Sequence, residues 1–167
     1  IFTVIILLSL NTQAQNGRIE VGANQIDLYI GKLVNKNVAI VANHTSTIGT
    51  THIVDSLLSL RIRLKKIFCP EHGFRGEADA GEFINNHADK KTGISIISLY
   101  GNHKKPTAKD LKGIQMVIFD MQDVGVRFYT YISTMHYVME ACAEQNIPLI
   151  ILDRPNPLGG ERVEGNI

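Results

Sequence analysis

Tryptophan is absent from the 167 residues, and there are only two cysteines and five prolines. Without tryptophan, any stacking platform for a sugar must come from the five Tyr and six Phe. Cys69 and Cys142 form no C-x-x-C pair, which excludes the common redox and zinc-knuckle motifs. An exported protein could join them, but Cys69 falls at a strand end and Cys142 within a helix. Two buried free thiols are therefore expected. Neither charge sign dominates, with 17 Lys+Arg against 16 Asp+Glu. That argues against a basic nucleic-acid surface and against an acidic tail. No G-x-G-x-x-G follows the first strand and no G-x-x-x-x-G-K-[ST] occurs, so no nucleotide cofactor is indicated. H-x-x-H and H-E-x-x-H spacings are missing too, and no metal is expected. His44, His72, Asp120, Asp123 and Asp153 remain the residues that could ligate one. There is no internal repeat.

What is present begins with an apolar run, Ile1 to Leu10, followed by small residues at Thr12 and Ala14. This reads as the h-region and c-region of a partial secretory signal over residues 1–15. The run is short for a bilayer span, and a membrane anchor is the alternative. Export to the periplasm or the exterior is the expected localisation. Residues 16–167 have the length of one domain. The sequence stops at "ERVEGNI" without a helix after the fifth strand. A further C-terminal domain is therefore expected to complete the protein.

Hydrophobic periodicity sets the fold class. "NVAIVAN", "LKKIFC", "ISIISLY", "MVIFDM" and "PLIILD" are short, continuous apolar runs. Such runs suit strands covered on both faces. Between them, helical spacing appears at Ile26, Tyr29, Ile30 and Leu33, and again at Ile53, Val54, Leu57 and Leu58. "TAKDLKG" has a Thr N-cap and a terminal Gly113, and so predicts a short helix. Ile132, Met135, Val138, Met139 and Cys142 carry the last helix. Alternating strands and helices imply an α/β fold. It is expected to be Rossmann-like and doubly wound, with a mostly parallel sheet and helices on both faces.

In such sheets, ligands bind outside the carboxyl ends of the strands. Those ends deliver Asn43, His44, Thr45 and Ser46; then Glu71, His72 and Arg75; then Tyr100 and Gly101. The last two deliver Asp120, Gln122, Asp123 and Arg127, and Asp153, Arg154 and Asn156. Convergence of so many polar groups on one rim predicts a working site. Purely structural roles are open as well. Asp120 could cap a turn or pair with Arg127, and Asp153 could pair with Arg154. His87 and His103 read as solvated loop residues, and His136 as a boundary residue of its helix.

The stretch "CPEHGFRGEADAGE", residues 69–82, concentrates ionisable groups on a glycine-broken loop. Two carboxylates across a glycosidic bond suffice for hydrolysis without a cofactor. Glu77 and Asp79 lie beside Gly76 and alanines and look exposed. Glu71 and Glu82 are the better pair. Glu71 follows a proline at a buried strand end, where desolvation would raise its pKa toward that of a general acid.

"PEHGFRGEADAGE", "SLYGNHKKPT", "FDMQDVGVRFYTYISTM" and "LDRPNPLGG" with "VEG" closely resemble the exo-β-N-acetylmuramidase family of NamZ type. The resemblance runs from about Gly22 to Gly165. Glu77 stands where relatives often carry Asp. The family's members are exported bacterial glycoside hydrolases that release N-acetylmuramic acid from non-reducing ends of peptidoglycan fragments. Their Rossmann-like N-terminal domain, the part matched here, shares a cleft with a smaller C-terminal domain. The resemblance implies Glu71 as the leading catalytic carboxylate and Glu82 as the second, without deciding acid from base. It implies His72, Arg75, Asp120, Asp123, Arg127, Tyr129, Tyr131, Arg154 and Asn156 as cleft residues, to which the rim adds Asn43. The lactyl carboxylate of N-acetylmuramic acid suits a guanidinium, and Arg127 and Arg154 are the candidates. The expected partner is a muramic-acid-terminated saccharide, with no nucleic acid. Two rivals stand beside this reading: a non-catalytic periplasmic sugar-binding domain, and a metal-dependent hydrolase.

Overall fold

The computed structural model describes residues 19–70, 74–75 and 87–165. Glu71, His72, Glu77, Asp79 and Glu82, and the signal-like segment, lie outside the described residues.

Five parallel strands form the centre: β1 (Asn37–Ala42), β4 (Arg63–Cys69), β6 (Ser95–Ser98), β7 (Met116–Asp120) and β8 (Leu149–Ile151). They match the five apolar runs of the sequence. Two short ribbon strands, β2 (Thr47–Ile48) and β3 (Thr51–His52), pair antiparallel with each other. A two-residue strand, β5 (His87–Ala88), pairs antiparallel with β6 at the sheet edge. None of these three was foreseen, and His87 opens a strand instead of lying in a loop. Strands of two residues carry no readable periodicity.

The six-stranded sheet runs β5-β6-β4-β1-β7-β8. The chain thus starts at the centre, winds outward through β4 and β6, then returns to build β7 and β8 on the other side. The direction of winding reverses between β1 and β7. That reversal point is where open α/β sheets leave a crevice at their carboxyl ends.

Helices α1 (Ile26–Leu33), α2 (Ile53–Ser59), α3 (Ala108–Leu111) and α4 (Tyr131–Glu144) cover the sheet. Val38, Ile40 and Ala42 of β1 face α1 and α2, packing with Leu33, Ile53 and Leu57. Ala39 and Val41 face the opposite layer, with Leu111 of α3 and Val138 of α4. The side-chain period of two thus feeds two separate cores from one strand, and the fold is doubly wound. In β4 the pairing with β1 slips between Val38 and Ala39. Lys65 becomes the extra residue, so Leu64 and Ile67 both reach the same core.

Helices α1 to α3 span eight, seven and four residues. Isolated helices of that length are unstable in water. Burial against the sheet therefore holds them, at about 1.5–3 kcal/mol for each fully buried Val, Leu or Ile. Side-chain caps set the starts of α2 and α3 but not of α1; the His52 ring accepts the Val54 N–H at α2. Thr107 and Asp110 form the reciprocal capping box of α3, and Gly113 beyond it has φ of 78°. On α4 the core-facing residues are Tyr131, Thr134, Val138, Ala141 and Cys142. Ile132, Met139 and His136 point to solvent. The sequence pattern had placed Ile132 and Met139 inside and His136 at the boundary. Tyr131 and Thr134 take the inner stripe instead, since a tyrosine ring and a threonine methyl can bury as well as an aliphatic chain.

Both cysteines are free and buried. Cys69 lies in the core under α1 and α2, Cys142 in the core under α4. The sheet separates them. Among the described residues, no helix is long and apolar enough to cross a membrane.

Candidate functional site

The carboxyl ends of β1, β7 and β8 meet at a buried polar knot. Asp120 ends β7 with no exposed surface, and the Arg154 side chain is 8% exposed. The guanidinium grips the carboxylate at two points: Nε to Oδ1 at 2.6 Å and Nη2 to Oδ2 at 2.9 Å. Nη2 also donates to the Thr47 carbonyl at 2.9 Å. Burial pushes the Asp120 carboxyl upward, and Arg154 opposes that only in part. Asp120 therefore pairs with Arg154 and not with Arg127, and Arg154 pairs across the sheet and not with its neighbour Asp153. Chain direction explains this. Parallel β7 and β8 carry Asp120 and Arg154 to the same rim, whereas Asp153 and Arg154 leave an extended strand on opposite sides.

Asn43 caps the same knot from β1. Its side-chain oxygen accepts from the Thr45 N–H at 3.0 Å and the Thr45 hydroxyl at 2.7 Å. The Ser46 hydroxyl accepts from the Asn43 N–H at 3.0 Å and donates to the Asp120 carbonyl. Because Thr45 N–H can only donate, the orientation of the Asn43 amide is fixed.

His52 lies just before α2. Its Nδ1 accepts from the Val54 N–H at 3.2 Å, so Nε2 carries the proton and donates to the Asn43 carbonyl at 2.9 Å. Burial lowers the His52 pKa, which keeps the ring neutral. The ring meets Phe74 edge to face, with centroids 4.5 Å apart. Nothing in the sequence singled out His52, because a histidine at a helix start has no diagnostic pattern.

Arg75 sits beyond Phe74 and is held by two acids. Asp89 accepts from Nε at 2.8 Å and Nη2 at 3.0 Å. Asp55 accepts from Nη1 at 3.3 Å and Nη2 at 3.2 Å. Arg75 and Thr92 hold the Asp89 carboxyl well below the usual range, despite burial. Asp55 and Asp89 were not read as site residues. One lies in an ordinary helix turn and the other in a lysine-rich loop.

The other predicted contacts line the outer part of the rim. Asp123 accepts the Gly125 N–H at 2.7 Å and closes a turn. Asn156 donates to the Gly159 carbonyl at 2.8 Å and accepts the Leu158 N–H at 3.0 Å. Tyr129 packs edge on against Tyr131, with centroids 5.4 Å apart. Tyr129 is exposed, whereas Tyr131 is buried at the start of α4. A cleft of about 760 Å³ opens between the segments after β7 and after β8, lined by Arg127, Phe128, Asn156, Leu158, Arg162 and Val163. Its volume suits a sugar-sized ligand. Arg127 is exposed there, and no carboxylate pairs with it among the described residues. Phe128 and Arg162 were missed; they sit in turn-rich sequence without periodicity. The structure thus gathers Asn43, Asp120 and Arg154 at the knot, and Arg127 and Asn156 at the cleft. Arg75 stands apart with Asp55 and Asp89. Among the described residues, no group of three or more His, Cys, Asp or Glu is placed to hold a metal ion.

Known proteins share this architecture. A DUF1343 family protein of Bacteroides fragilis NCTC 9343 superposes with a TM-score of 0.79 at 39% identity, covering 90% of this chain and 38% of that one. A second from the same organism gives 0.70 at 44% identity, covering 82% and 35%. Peptidoglycan β-N-acetylmuramidase NamZ of Bacillus subtilis (strain 168) is 42% identical, over 95% of this chain and 39% of the relative. The chain thus spans about two fifths of the length of the relatives it matches. Residues 38–167 match the family model of exo-β-N-acetylmuramidase NamZ, N-terminal, and the chain belongs to that family.

Proposed function

We propose that the full-length protein is an exported, exo-acting glycoside hydrolase that releases N-acetylmuramic acid from the non-reducing ends of peptidoglycan fragments during cell-wall turnover. The observation that carries this reading is the 42% identity, along 95% of the chain, with a protein named peptidoglycan β-N-acetylmuramidase. Glu71 and Glu82 are the two carboxylates that flank the scissile bond. In sequence Glu71 follows the buried Cys69 and Pro70, and a general acid is the role the reaction asks of it. The chemistry needs no cofactor.

Arg127 reads the lactyl carboxylate. Among the described residues no carboxylate pairs with it at the cleft, whereas Arg154 already holds a buried carboxylate. Asn43, just after the carboxyl end of β1, is a further sugar contact. Phe128 and Val163 are 86% and 83% exposed on the cleft wall. The rest of the same polypeptide covers them and completes the cleft.

The test is an assay of the full-length protein on a disaccharide with a terminal N-acetylmuramic acid. Glu71→Gln keeps the shape and removes the titrating proton. Its turnover should fall by roughly a hundredfold to ten-thousandfold with an unchanged fold, and a chelator should leave the parent enzyme unaffected. Near-normal activity in the variant would remove Glu71 from the mechanism.

A further inference from the structure

A guanidinium has five N–H donors. In Arg75, four of them point at carboxylates: one from Nε, one from Nη1 and both from Nη2. Only one N–H remains for anything else. The guanidinium carbon also lies over the Phe74 ring, 4.8 Å from its centre. Phe74 is buried in the core under α2 and packs on His52.

The partners of Arg75 are themselves fixed. Asp55 belongs to the first turn of α2 and also takes Lys91 Nζ at 2.7 Å. Asp89 accepts the Thr92 N–H at 3.1 Å and the Thr92 hydroxyl at 2.6 Å. Its own backbone closes the turn into β6, with Asp89 N–H to Ile94 O at 2.8 Å. Two cations and two anions thus make a neutral cluster. It ties together three points distant in sequence: residue 75, the start of α2, and the turn before β6.

We propose that Arg75 is a positioning residue and not a substrate contact, anchoring the chain four residues beyond Glu71 to α2 and to the Asp89 turn. The inference rests on the reading of Glu71 as the catalytic carboxylate. In sequence, Glu71 stands two residues after Cys69, the end of β4, and four before Arg75. Releasing the chain at Arg75 frees it four residues from the proposed catalytic carboxylate, and a misplacement of about 1 Å in a catalytic group can cost on the order of 100-fold in rate.

The experiment compares Arg75→Lys and Asp55→Asn with the parent in the full-length protein. Lysine keeps the charge but, with a single nitrogen, cannot grip each of two carboxylates at two points. Asp55→Asn is the milder change and guards against loss of folding. Two substrates are used, a muramic-acid-terminated disaccharide and its analogue without the lactyl carboxylate. The expected result is a fall in kcat of about 100-fold for Arg75→Lys, equal on both substrates, with KM within about twofold of the parent. Hydrogen exchange of the Asp89 and Gly93 amides, which close the turn before β6, should rise in both variants. A rise in KM confined to the carboxylate-bearing substrate, with kcat and exchange unchanged, would overturn the proposal and make Arg75 a substrate contact. If the parent releases no N-acetylmuramic acid, the functional reading falls. The exchange data then decide the anchor by themselves, with unchanged protection in both variants counting against it.

Discussion

Arg154→Met is the most informative perturbation of the knot at the sheet's carboxyl ends. It removes both bonds to Asp120 and the bond to the Thr47 carbonyl, while keeping an apolar stem of similar length. Asp120 is then a wholly buried carboxyl with no cation beside it. Breaking such a pair from one side typically costs about 3–5 kcal/mol. The cost has a ceiling, because the orphaned carboxyl can take up a proton. At pH 7, protonating a group with an ordinary value near 3.9 costs about 4 kcal/mol, at 1.36 kcal/mol per unit. The deficit is therefore at most about 4 kcal/mol from Asp120, plus about 1 kcal/mol for the lost bond to Thr47.

This reasoning fixes a pH signature. Burial already raises the folded-state value of Asp120 in the parent, and losing Arg154 raises it further, so the folded variant binds more of the extra proton than the folded parent. Stability relative to the parent is then lost as pH rises from about 4 toward 7. Lowering the pH from 7 to 5 should return up to about 2.7 kcal/mol of the deficit. Urea unfolding followed by circular dichroism measures it at both values; these 167 residues hold no tryptophan to report on the knot by fluorescence. Replacing both partners, as in Asp120→Leu with Arg154→Met, should cost less than Arg154→Met alone, because no buried charge is left behind. A single-variant deficit below about 1 kcal/mol, or one that does not change with pH, would refute the buried-pair argument.

Three further outcomes follow from the same geometry. Arg127→Ala should lower kcat/KM on muramic-acid substrates by about tenfold or more and spare analogues without the lactyl carboxylate; equal losses on both would mean that Arg127 only shapes the cleft. Gly125→Ala should lower the melting temperature of the full-length protein, because Gly125 has φ of 72° and a Cβ there would lie 2.4 Å from the Asn156 amide nitrogen; an unchanged melt would show that the Asn156 turn gives way freely. Asp89 is held below the usual carboxylate range, so its contribution is present above about pH 4 and is lost as pH falls further; the stability gap between parent and Asp89→Asn should close on acidification, and a gap of equal size at pH 6 and pH 2.5 would contradict this.

Periodicity was enough to read the sheet and its cover. The five parallel strands are apolar runs because both faces are buried, and that same burial makes them visible as continuous blocks. The ribbon of β2 and β3 and the edge strand β5 escaped for the opposite reason. Each has two residues, is held by neighbours, and leaves no pattern of its own. The strand order was out of reach as well, since pairing is decided between distant segments and not within any one of them.

The rim shows where sequence reasoning stops. Knowing the strands puts Asn43, Asp120, Arg127, Arg154 and Asn156 at one end of the sheet, because parallel strands bring all their carboxyl ends together. It does not say which of these groups satisfy each other. Arg127 and Arg154 read alike in sequence, each an arginine a few residues past an apolar run. In the fold, one meets a carboxylate with no access to water, and the other meets open solvent at a cleft. Arg75 is the sharper case. Its motif invites a role in binding, yet its two partners come from a helix turn 20 residues before it and a loop 14 residues after it. A guanidinium with four of five donors already engaged has little left to offer a ligand. The separation of ligand-reading from scaffold-holding arginines is therefore a property of contacts, and it follows only once the chain is folded.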